Sequence, residues 1–329
     1  MIEKFYNLQL SENFIINNYF KKLNLNKSGT FNFENDAAYL NTSANKKTIV
    51  TTDTIVENID FFPLDPPESI AQKIMCVNLS DISAMGALPK TYTLNLSINS
   101  TIDQIWLKKF TNRLSKIQKD YNMYLLGGDI SRSTEISVTV TCFGESKLKN
   151  IIKQKNSYVG DDIWVTGDLG NSFLGFKVLK NSKLKLEKKY INKFKNFYLY
   201  PKPCMFGSKA SEYINSAIDI SDGFYGDLQK MLNYKFGAKI FKDSIPISGV
   251  LKKILQDNYK TIKFADILSW GDDYELIFTS FKKNRTKLLS LAKRNKVKIS
   301  LVGSIIKKSG IFNDSNEVLK NISSFDHFS

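Results

Sequence analysis

Apolar and polar positions alternate along the first half of the chain with two different periods. A period of two, with many β-branched residues, predicts strands over 48–56, 90–98, 123–131 and 135–145. A helical period predicts helices over 68–87, ending at Gly86, and over 101–122. We expect Asp53 to break the first strand and the glycine pair at 127–128 to turn the third. The order strand, helix, strand, helix, strand, strand predicts an α/β sandwich-like half.

The second half of the chain follows a lysine-rich loop at 146–162 and shows the same kinds of pattern. It restarts with an apolar segment at 163–170 and a helix that begins near Asn171. A lysine-rich helix and a helix over 204–215 are predicted next. Strands are predicted over 237–241, 272–279 and 298–306. We place a domain boundary within the lysine-rich loop, which predicts two domains, residues 1–148 and 149–329.

Composition favours folded domains in a reducing compartment. Hydrophobic residues make up 42% of the 329 positions and aromatic residues 12%, which is enough for buried cores. Cys76, Cys142 and Cys204 form no CxxC pair, so we expect neither a disulfide framework nor a zinc site. We find no signal-peptide core in the N-terminal residues and no apolar run of about 18 residues. We therefore expect a cytoplasmic protein with no membrane partner.

The charge balance is strongly basic, with a formal net charge of +15. Such a balance fits nucleic-acid binding, attraction to acidic substrates, or a compositional habit of the source. Much of the excess lies in scattered lysines, as in residues 181–195, and no recognition motif accompanies them. A compositional habit is the favoured interpretation, and no nucleic-acid partner is expected.

The only histidine is His327, two residues from the end. Ser-His-Asp hydrolysis and histidine-ligated metal chemistry both need an internal histidine, so both are excluded. Chemistry must therefore depend on carboxylates, hydroxyls, lysines, arginines and the backbone.

Aspartates recur at the ends of apolar segments. They are Asp36, Asp53, Asp81, Asp129, Asp219 and Asp222. One such aspartate is usually a turn former or a helix N-cap, but six in a basic chain point to a shared role. Two unit charges about 4 Å apart repel by roughly 4 kcal/mol at an effective dielectric of 20, and a divalent cation cancels that cost. Oxygen-only ligands indicate Mg²⁺ before Ca²⁺, and Mg²⁺ commonly accompanies phosphates, which suggests phosphoryl transfer.

Glycines lie where phosphates would approach the backbone. The segments at 125–131 ("LLGGDIS") and 165–172 ("VTGDLGNS") each place glycines beside an aspartate, the second before a helix start. Neither is a Walker A sequence or a kinase glycine loop. An ordinary turn is the alternative at both positions.

Eight motifs follow one another in the order of a known family. They are "ENDAAYL", "TTDTIVENIDFF", "KIMCVNLSDISAMGALPK", "LLGGDISRS", "VGDDIWVTGDLGNS", "YLYPKP", "SAIDISDGFYGDL" and "SWGDDYELIFT". Together they resemble the thiamine-monophosphate kinase family over roughly residues 10–328. The wider superfamily includes aminoimidazole ribonucleotide synthetase, selenophosphate synthetase and a hydrogenase maturation factor.

The resemblance implies a two-domain, PurM-like α/β (α+β) fold. Residues 1–148 would bind ATP and metal and dimerise into a β-barrel, while residues 149–329 would complete the active site. The implied enzyme is a homodimer that phosphorylates thiamine monophosphate with ATP directly, using several Mg²⁺ ions.

The resemblance implies a role for each residue that matches a functional position of the family motifs. The implied metal ligands are Asp36, Thr51, Thr52, Asp53, Asp81, Asp129, Asp219 and Asp222, among which Asp81, Asp129 and Asp222 would be catalytic. The implied ATP contacts are Gly128, Asp129, Lys153, Ser221 and Thr111. Asp60 and Asp272 fall at substrate positions. In this comparison Asp227 is interpreted as an ordinary helix-surface acid.

The chain departs from the family pattern at three places. Before Asp36, Glu34-Asn35 replaces the family's Gly-Asp, which makes one potential metal ligand neutral. Near the acceptor, Asp60 replaces a histidine, and Asp272 replaces a glutamate one methylene longer. ATP and Mg²⁺ use is therefore better supported than the acceptor. The alternatives are another ATP-dependent phosphotransferase or synthetase of the superfamily, and a basic nucleic-acid-binding protein with a degenerate site.

Overall fold

The computed structural model describes residues 12–27, 30, 33, 40, 45–180, 184, 186–232, 236–258 and 261–319. The chain divides into two units. Unit 1 comprises Met1–Asn78 and Pro89–Glu145, and unit 2 comprises Leu79–Leu88 and Ser146–Ser329.

A four-stranded sheet forms the framework of unit 1. The elements in chain order up to Lys147 are α1 (Glu12–Ile15), a π-helical turn (Ile16–Phe20), a 3-10 turn (Lys21–Asn24), β1 (Lys46–Val56), α2 (Pro67–Ala84), β2 (Leu88–Ile98), α3 (Gln104–Tyr121), β3 (Tyr124–Arg132) and β4 (Ser137–Lys147). The end of α2 from Leu79 onward belongs to unit 2. The sheet order is β1-β4-β2-β3, with β2 parallel to β3. The elements β1, α2, β2, α3, β3 and β4 therefore confirm the predicted order strand, helix, strand, helix, strand, strand.

The helix α3 forms because its apolar residues recur at helical spacing and its ends are capped. Asp103 accepts a hydrogen bond from the Trp106 N–H at 2.7 Å, and Asn122 ends the helix in the left-handed conformation. Its apolar face is buried, and Gln118 on that face donates to the Leu23 carbonyl at 2.7 Å. This bond ties the N-terminal turns of unit 1 to the helix.

Unit 2 contains a six-stranded sheet with helices around it. Its strands are β5 (Asp162–Thr166), β6 (Ser216–Asp219), β7 (Gly237–Ile240), β8 (Leu276–Ser280), β9 (Ile299–Ile306) and β10 (Gly310–Phe312). Its helices are α4 (Asn171–Leu179), α5 (Lys188–Leu199), α6 (Phe206–Ala210), α7 (Phe224–Met231), α8 (Gly249–Asp257), α9 (Phe264–Leu268) and α10 (Arg285–Arg294). The sheet order is β10-β7-β9-β5-β8-β6.

Both faces of this sheet are covered by apolar side chains. On β5, Ile163 and Val165 belong to one buried cluster, while Trp164 belongs to another. Because successive strand residues point to opposite faces, the two clusters cover opposite sides of the sheet. This burial on both sides explains the apolar runs at 163–165 in β5 and 276–278 in β8.

Three predictions about these strands and helices are wrong, in addition to the turn predicted at the glycine pair 127–128, which lies within β3. Asp53 does not break its strand, because β1 runs without interruption over Lys46–Val56. The strand predicted over 272–279 begins only at Leu276, and the helix predicted over 204–215 is the short α6 followed by a 3-10 turn at Ser211–Tyr213. Within the described ranges, no helix combines the length and apolarity needed to cross a bilayer.

Candidate active site

The loop between β6 and α7 carries the acidic motif "DISDG" and belongs to unit 2. Asp219 is the last residue of β6, lies opposite Leu276 of β8 and is only 5% exposed. Gly223 precedes α7 with φ +115°, a conformation that residues with a side chain rarely adopt. The strand end and the glycine turn therefore hold Asp219, Ser221 and Asp222 within one short segment.

Asp227 organises this loop, and its interpretation as a helix-surface acid is wrong. The residue is fully buried, and its Oδ2 accepts hydrogen bonds from the backbone N–H groups of Ser221 at 3.1 Å and Asp222 at 2.9 Å. Burial raises the pKa of Asp227, and the neighbouring Lys230 opposes that rise. Its carboxylate therefore fixes the backbone on which Ser221 and Asp222 lie.

Lys230 provides the positive charge of this loop. Its ammonium contacts Oδ2 of Asp222 and lies 2.9 Å from Oδ1 of Asp227. Burial opposes the charge on Lys230, but the two carboxylates outweigh it and raise the pKa of the lysine. The sequence spacing of Asp227 and Lys230, three residues apart on a helix, was the signal for this pair.

The segment 271–275 lies against the "DISDG" loop through backbone hydrogen bonds. The Asp272 N–H donates to the Ser221 carbonyl at 3.0 Å, and the Tyr274 N–H donates to the Ile220 carbonyl at 2.9 Å. At Gly271 the approach is so close that an added Cβ would lie 1.8 Å from the Ser221 carbonyl oxygen. The position therefore requires glycine.

Two residues of the same segment have left-handed backbone conformations. Asp272 has φ +62° and Tyr274 has φ +49°, which is uncommon for residues with side chains. The Tyr274 hydroxyl donates to Oδ1 of Asp272 at 2.7 Å and so orients the predicted substrate-contacting carboxylate. Such strain persists only where surrounding contacts enforce it, and it is common at functional sites.

Asp273 connects this segment to the glycine loop after β5. Its Oδ2 accepts from the Gly170 N–H at 2.9 Å, and the Ser172 N–H is a second backbone donor. Burial raises the pKa of Asp273 well above its ordinary value, with the two N–H groups opposing the rise. The start of α4 is therefore held by a carboxyl group of unit 2 in this structure.

Glu275 lies at the other end of the same glycine loop. Its Oε2 accepts from the Thr166 hydroxyl at 2.5 Å, and a Cβ on Gly167 would lie 1.8 Å from its Oε1. Burial raises the pKa of Glu275 to about 7. Burial also raises the pKa of the neighbouring Cys204 thiol to about 12, so this cysteine stays protonated.

The sequence did not identify Asp227, Lys230, Asp273, Tyr274 or Glu275 as site residues. Asp227, Asp273, Tyr274 and Glu275 make contacts with the backbone or with residues distant in sequence, and their position within quoted motifs is their only local signal. Lys230 lies outside those motifs, and its spacing from Asp227 is its only local signal.

In unit 1, five of the predicted residues lie on two strands. Thr51, Thr52 and Asp53 are consecutive on β1, and the Thr52 hydroxyl is hydrogen-bonded to that of Thr141 at 3.0 Å. Gly128 and Asp129 are exposed on β3, opposite Leu94 and Asn95 of β2.

The glycines at 127 and 128 do not form the predicted turn. The register between β2 and β3 shifts at Tyr92–Thr93, leaving Leu126 as an extra residue on β3. Beside this bulge, a Cβ on Gly128 would lie 1.8 Å from the Leu94 carbonyl oxygen. Glycine is required here by a close strand contact, which presents Asp129 on an exposed strand.

The remaining predicted residues have varied surroundings. Oδ2 of Asp60 accepts from the Val56 N–H at 2.8 Å, so this carboxylate closes the turn after β1. Lys153 is exposed in a loop, and Asp81 is half-buried on α2. Asp36, Glu34 and Asn35 lie outside the described residues, as does His327.

Thr111 is fully buried, and its hydroxyl donates to the Leu107 carbonyl at 2.8 Å. In this arrangement the hydroxyl offers no donor or acceptor at the protein surface. Thr111 is therefore left out of the proposed ATP contacts.

The predicted metal ligands are divided between the two units. Within the described ranges, no three His, Cys, Asp or Glu side chains are grouped closely enough to hold a metal ion. Every predicted ligand is nevertheless a carboxylate or hydroxyl oxygen, the donor type that Mg²⁺ prefers. The chemistry of the donor set therefore fits Mg²⁺.

The chain is similar to characterised proteins over almost its whole length. Residues 34–146 match the family described as AIR synthase related protein, N-terminal domain. Over 324 residues the chain is 35% identical to the thiamine-monophosphate kinase of Buchnera aphidicola subsp. Acyrthosiphon pisum (strain APS), covering 95% of this chain and 98% of that protein. The chain belongs to the thiamine-monophosphate kinase family.

Solved structures show the same fold. The thiamine-monophosphate kinase from Stenotrophomonas maltophilia K279a has a TM-score of 0.82 at 27% identity, covering 94% of this chain and 98% of that one. AaThiL complexed with AMPPCP and TMP has a TM-score of 0.76 at 24% identity, covering 87% and 89%. The predicted family and the predicted PurM-like α/β (α+β) fold are confirmed.

Proposed function

We propose that this thiamine-monophosphate kinase family member transfers the γ-phosphoryl group of ATP to thiamine monophosphate. The products are thiamine diphosphate and ADP, and the reaction is the last step of thiamine diphosphate biosynthesis. Support comes from the family membership over 95% of the chain and from AaThiL, which shares the fold and was solved with AMPPCP and TMP.

The proposed chemistry is a direct transfer. A phosphate oxygen of thiamine monophosphate bonds to the γ-phosphorus while the bond to the β–γ bridging oxygen breaks, and ADP leaves with that electron pair. A phosphate group loses its second proton near pH 6, so the acceptor is largely deprotonated at neutral pH and needs no general base. A sequence whose only histidine is His327 is consistent with this mechanism.

The observation that carries the proposal is the fixed "DISDG" loop. Asp219, Ser221 and Asp222 lie on a backbone held by the buried Asp227, and Asp222 is compensated by Lys230. Positioning and charge neutralisation account for most of the catalysis in phosphoryl transfer. A rigid acidic loop with a nearby hydroxyl suits that requirement.

Each proposed role falls on named residues. Gly128, Asp129, Lys153 and Ser221 would bind ATP. The residues that would hold Mg²⁺ are Asp36, Thr51, Thr52, Asp53, Asp81, Asp129, Asp219 and Asp222, with Asp81, Asp129 and Asp222 closest to the chemistry. Bound Mg²⁺ would neutralise charge on the phosphate oxygens.

Asp272 and Asp60 are the proposed acceptor contacts. Asp272 is oriented by the Tyr274 hydroxyl, whereas one oxygen of Asp60 is already used by the Val56 N–H. Because both positions depart from the family pattern, a different phosphorylated acceptor is the second candidate. Another ATP-dependent reaction of the superfamily would use the same ATP residues.

We further propose a cytoplasmic homodimer assembled through unit 1. The cysteines at 76, 142 and 204 are all free thiols, as a reducing compartment favours. In unit 1, β1 lies at an edge of the sheet and exposes Val50.

The test is a turnover assay with ATP, Mg²⁺ and thiamine monophosphate, in which thiamine diphosphate and ADP are quantified together. We expect equal amounts of both products and none when Mg²⁺ is chelated. ATP consumption only with another phosphorylated acceptor would support the second candidate. No ATP turnover with any acceptor, combined with salt-sensitive nucleic-acid binding, would overturn both.

A further inference from the structure

Lys230 contacts two carboxylates that differ in how firmly they are held. Asp227 is fully buried, and both of its oxygens are used: Oδ1 by Lys230 and Oδ2 by the N–H groups of Ser221 and Asp222. The Asp222 side chain is 33% exposed, and its carboxylate contacts Lys230 through Oδ2. Asp227 is therefore fixed, while Asp222 can change its partner.

The lysine itself can also move. Its side chain is 45% exposed and ends a flexible four-carbon stem on the solvent side of α7. The ammonium can therefore rotate away from Asp222 while keeping its bond to Oδ1 of Asp227. The buried carboxylate would then remain compensated, and the backbone of the loop would keep its shape.

We propose that Lys230 is a positioning residue that holds Asp222 in the place of a divalent cation and releases it, while staying bound to Asp227, when the cation binds. The inference depends on the proposed function, in which Asp222 is a Mg²⁺ ligand. It assigns to Lys230 a role toward the metal that differs from a purely structural ion pair.

The proposal has a measurable consequence that a structural role lacks. Since the ammonium and the cation compete for one carboxylate, removing the ammonium must tighten metal binding. A half-exposed ion pair is weak, so we expect an effect of about fivefold. A lysine that only stabilised the fold would instead weaken metal binding when removed, because the loop would lose order.

The experiment measures Mn²⁺ binding to the full chain by electron paramagnetic resonance of the free ion, without nucleotide. Lys230→Met is expected to bind Mn²⁺ about fivefold more tightly than the wild type. Lys230→Arg keeps the charge and should stay near the wild-type value. Lys252→Met removes an exposed lysine of α8 in the same unit and controls for the change in net charge.

Thermal unfolding gives a second readout. In EDTA, Lys230→Met should lower Tm by about 2–4 °C, because Asp227 loses its counter-charge. Adding Mn²⁺ should raise Tm more in this variant than in the wild type. Lys230→Gln keeps N–H donors for Asp227 without the charge, so it replaces the methionine variant if that protein does not fold.

Asp222→Asn separates the two possible failures. Weaker Mn²⁺ binding in Asp222→Asn, with unchanged or weaker binding in Lys230→Met, would overturn the inference and leave the proposed function standing. Unchanged binding in Asp222→Asn, or no measurable Mn²⁺ binding to any of the proteins, would overturn the metal role of Asp222 and the inference with it. Weaker binding in Asp222→Asn with tighter binding in Lys230→Met supports both.

Discussion

The carboxyl group of Glu275 gains and loses its proton near neutral pH in the folded protein. Burial raises its pKa to about 7 from an ordinary value of 4.5, and Asp168 adds to the rise while Thr166, Cys204 and Lys298 oppose it. The folded chain therefore binds a proton more tightly than the unfolded chain. The stabilisation is fully present below pH 4.5 and is lost as the pH rises to about 7.

Glu275→Gln should remove this part of the pH dependence. We expect the wild type to lose about 1 kcal/mol more unfolding free energy than the variant between pH 6 and pH 8, because only the wild type releases this proton. Urea unfolding at both pH values measures the difference. Glu212→Gln, at an exposed position of the same unit, should retain the wild-type pH dependence. Equal losses in the wild type and Glu275→Gln would show that Glu275 is already ionised at pH 6.

Asp227 shows where prediction from single residues fails. The motif and its spacing made Asp219 and Asp222 candidate site residues, because aspartates after an apolar strand are a local pattern. Asp227 follows in the first turn of α7, where an exposed acid is the common case. Its burial results from the backbone of Ser221 and Asp222 folding over it, and no local pattern of charge or hydrophobicity reports that contact.

At the scale of elements, the sequence predicted most of the helices and strands but few of the contacts between loops. The alternating residues of β4 and the apolar face of α3 were sufficient to place both elements. The strand predicted over 272–279 includes the segment 272–275, yet Asp272 and Tyr274 adopt left-handed conformations. That shape is imposed by the backbone bonds to Ile220 and Ser221, which only the folded chain brings together.

Gly271→Ala tests the contact between these two segments. The new methyl group would lie 1.8 Å from the Ser221 carbonyl oxygen and 3.2 Å from the Asp222 Cα, so the "DISDG" loop must shift. A misplacement of about 1 Å can cost 10²-fold in rate, and we expect a loss of about that size in kcat/KM. Steady-state kinetics with thiamine monophosphate measure it.

Gly249→Ala is the matched control for this substitution. Gly249 begins α8, and an added Cβ there meets no atom within 4 Å. Alanine favours a helix over glycine, so this variant should keep wild-type kinetics and gain slightly in stability. Wild-type kinetics in Gly271→Ala would show that the loop does not need its observed position.

At the scale of the whole molecule, the net charge of +15 does not identify a partner. Two lysines near the proposed site have specific carboxylate partners: Lys230 with Asp222 and Asp227, and Lys298 with Asp168. Ion pairs of this kind use basic residues to compensate nearby acids. A basic composition and an acidic site are therefore compatible in one chain.

The edge strand β1 is the surface through which the proposed dimer would form. An edge strand that exposes an apolar side chain is suited to pairing with a second copy, and Val50 on the edge strand β1 is 55% exposed. Light scattering should therefore give twice the 37.5 kDa mass of one chain. Val50→Lys should return the mass to that of one chain, because charged side chains block edge pairing.

Val159→Lys is the matched control, since Val159 is 51% exposed but belongs to unit 2. Both variants add the same charge at an exposed valine, so a general effect of charge on association would lower the mass in both. A change in Val50→Lys alone assigns the interface to the β1 edge. A dimer that persists in Val50→Lys would place the interface elsewhere, and a wild-type mass of one chain would rule out the homodimer.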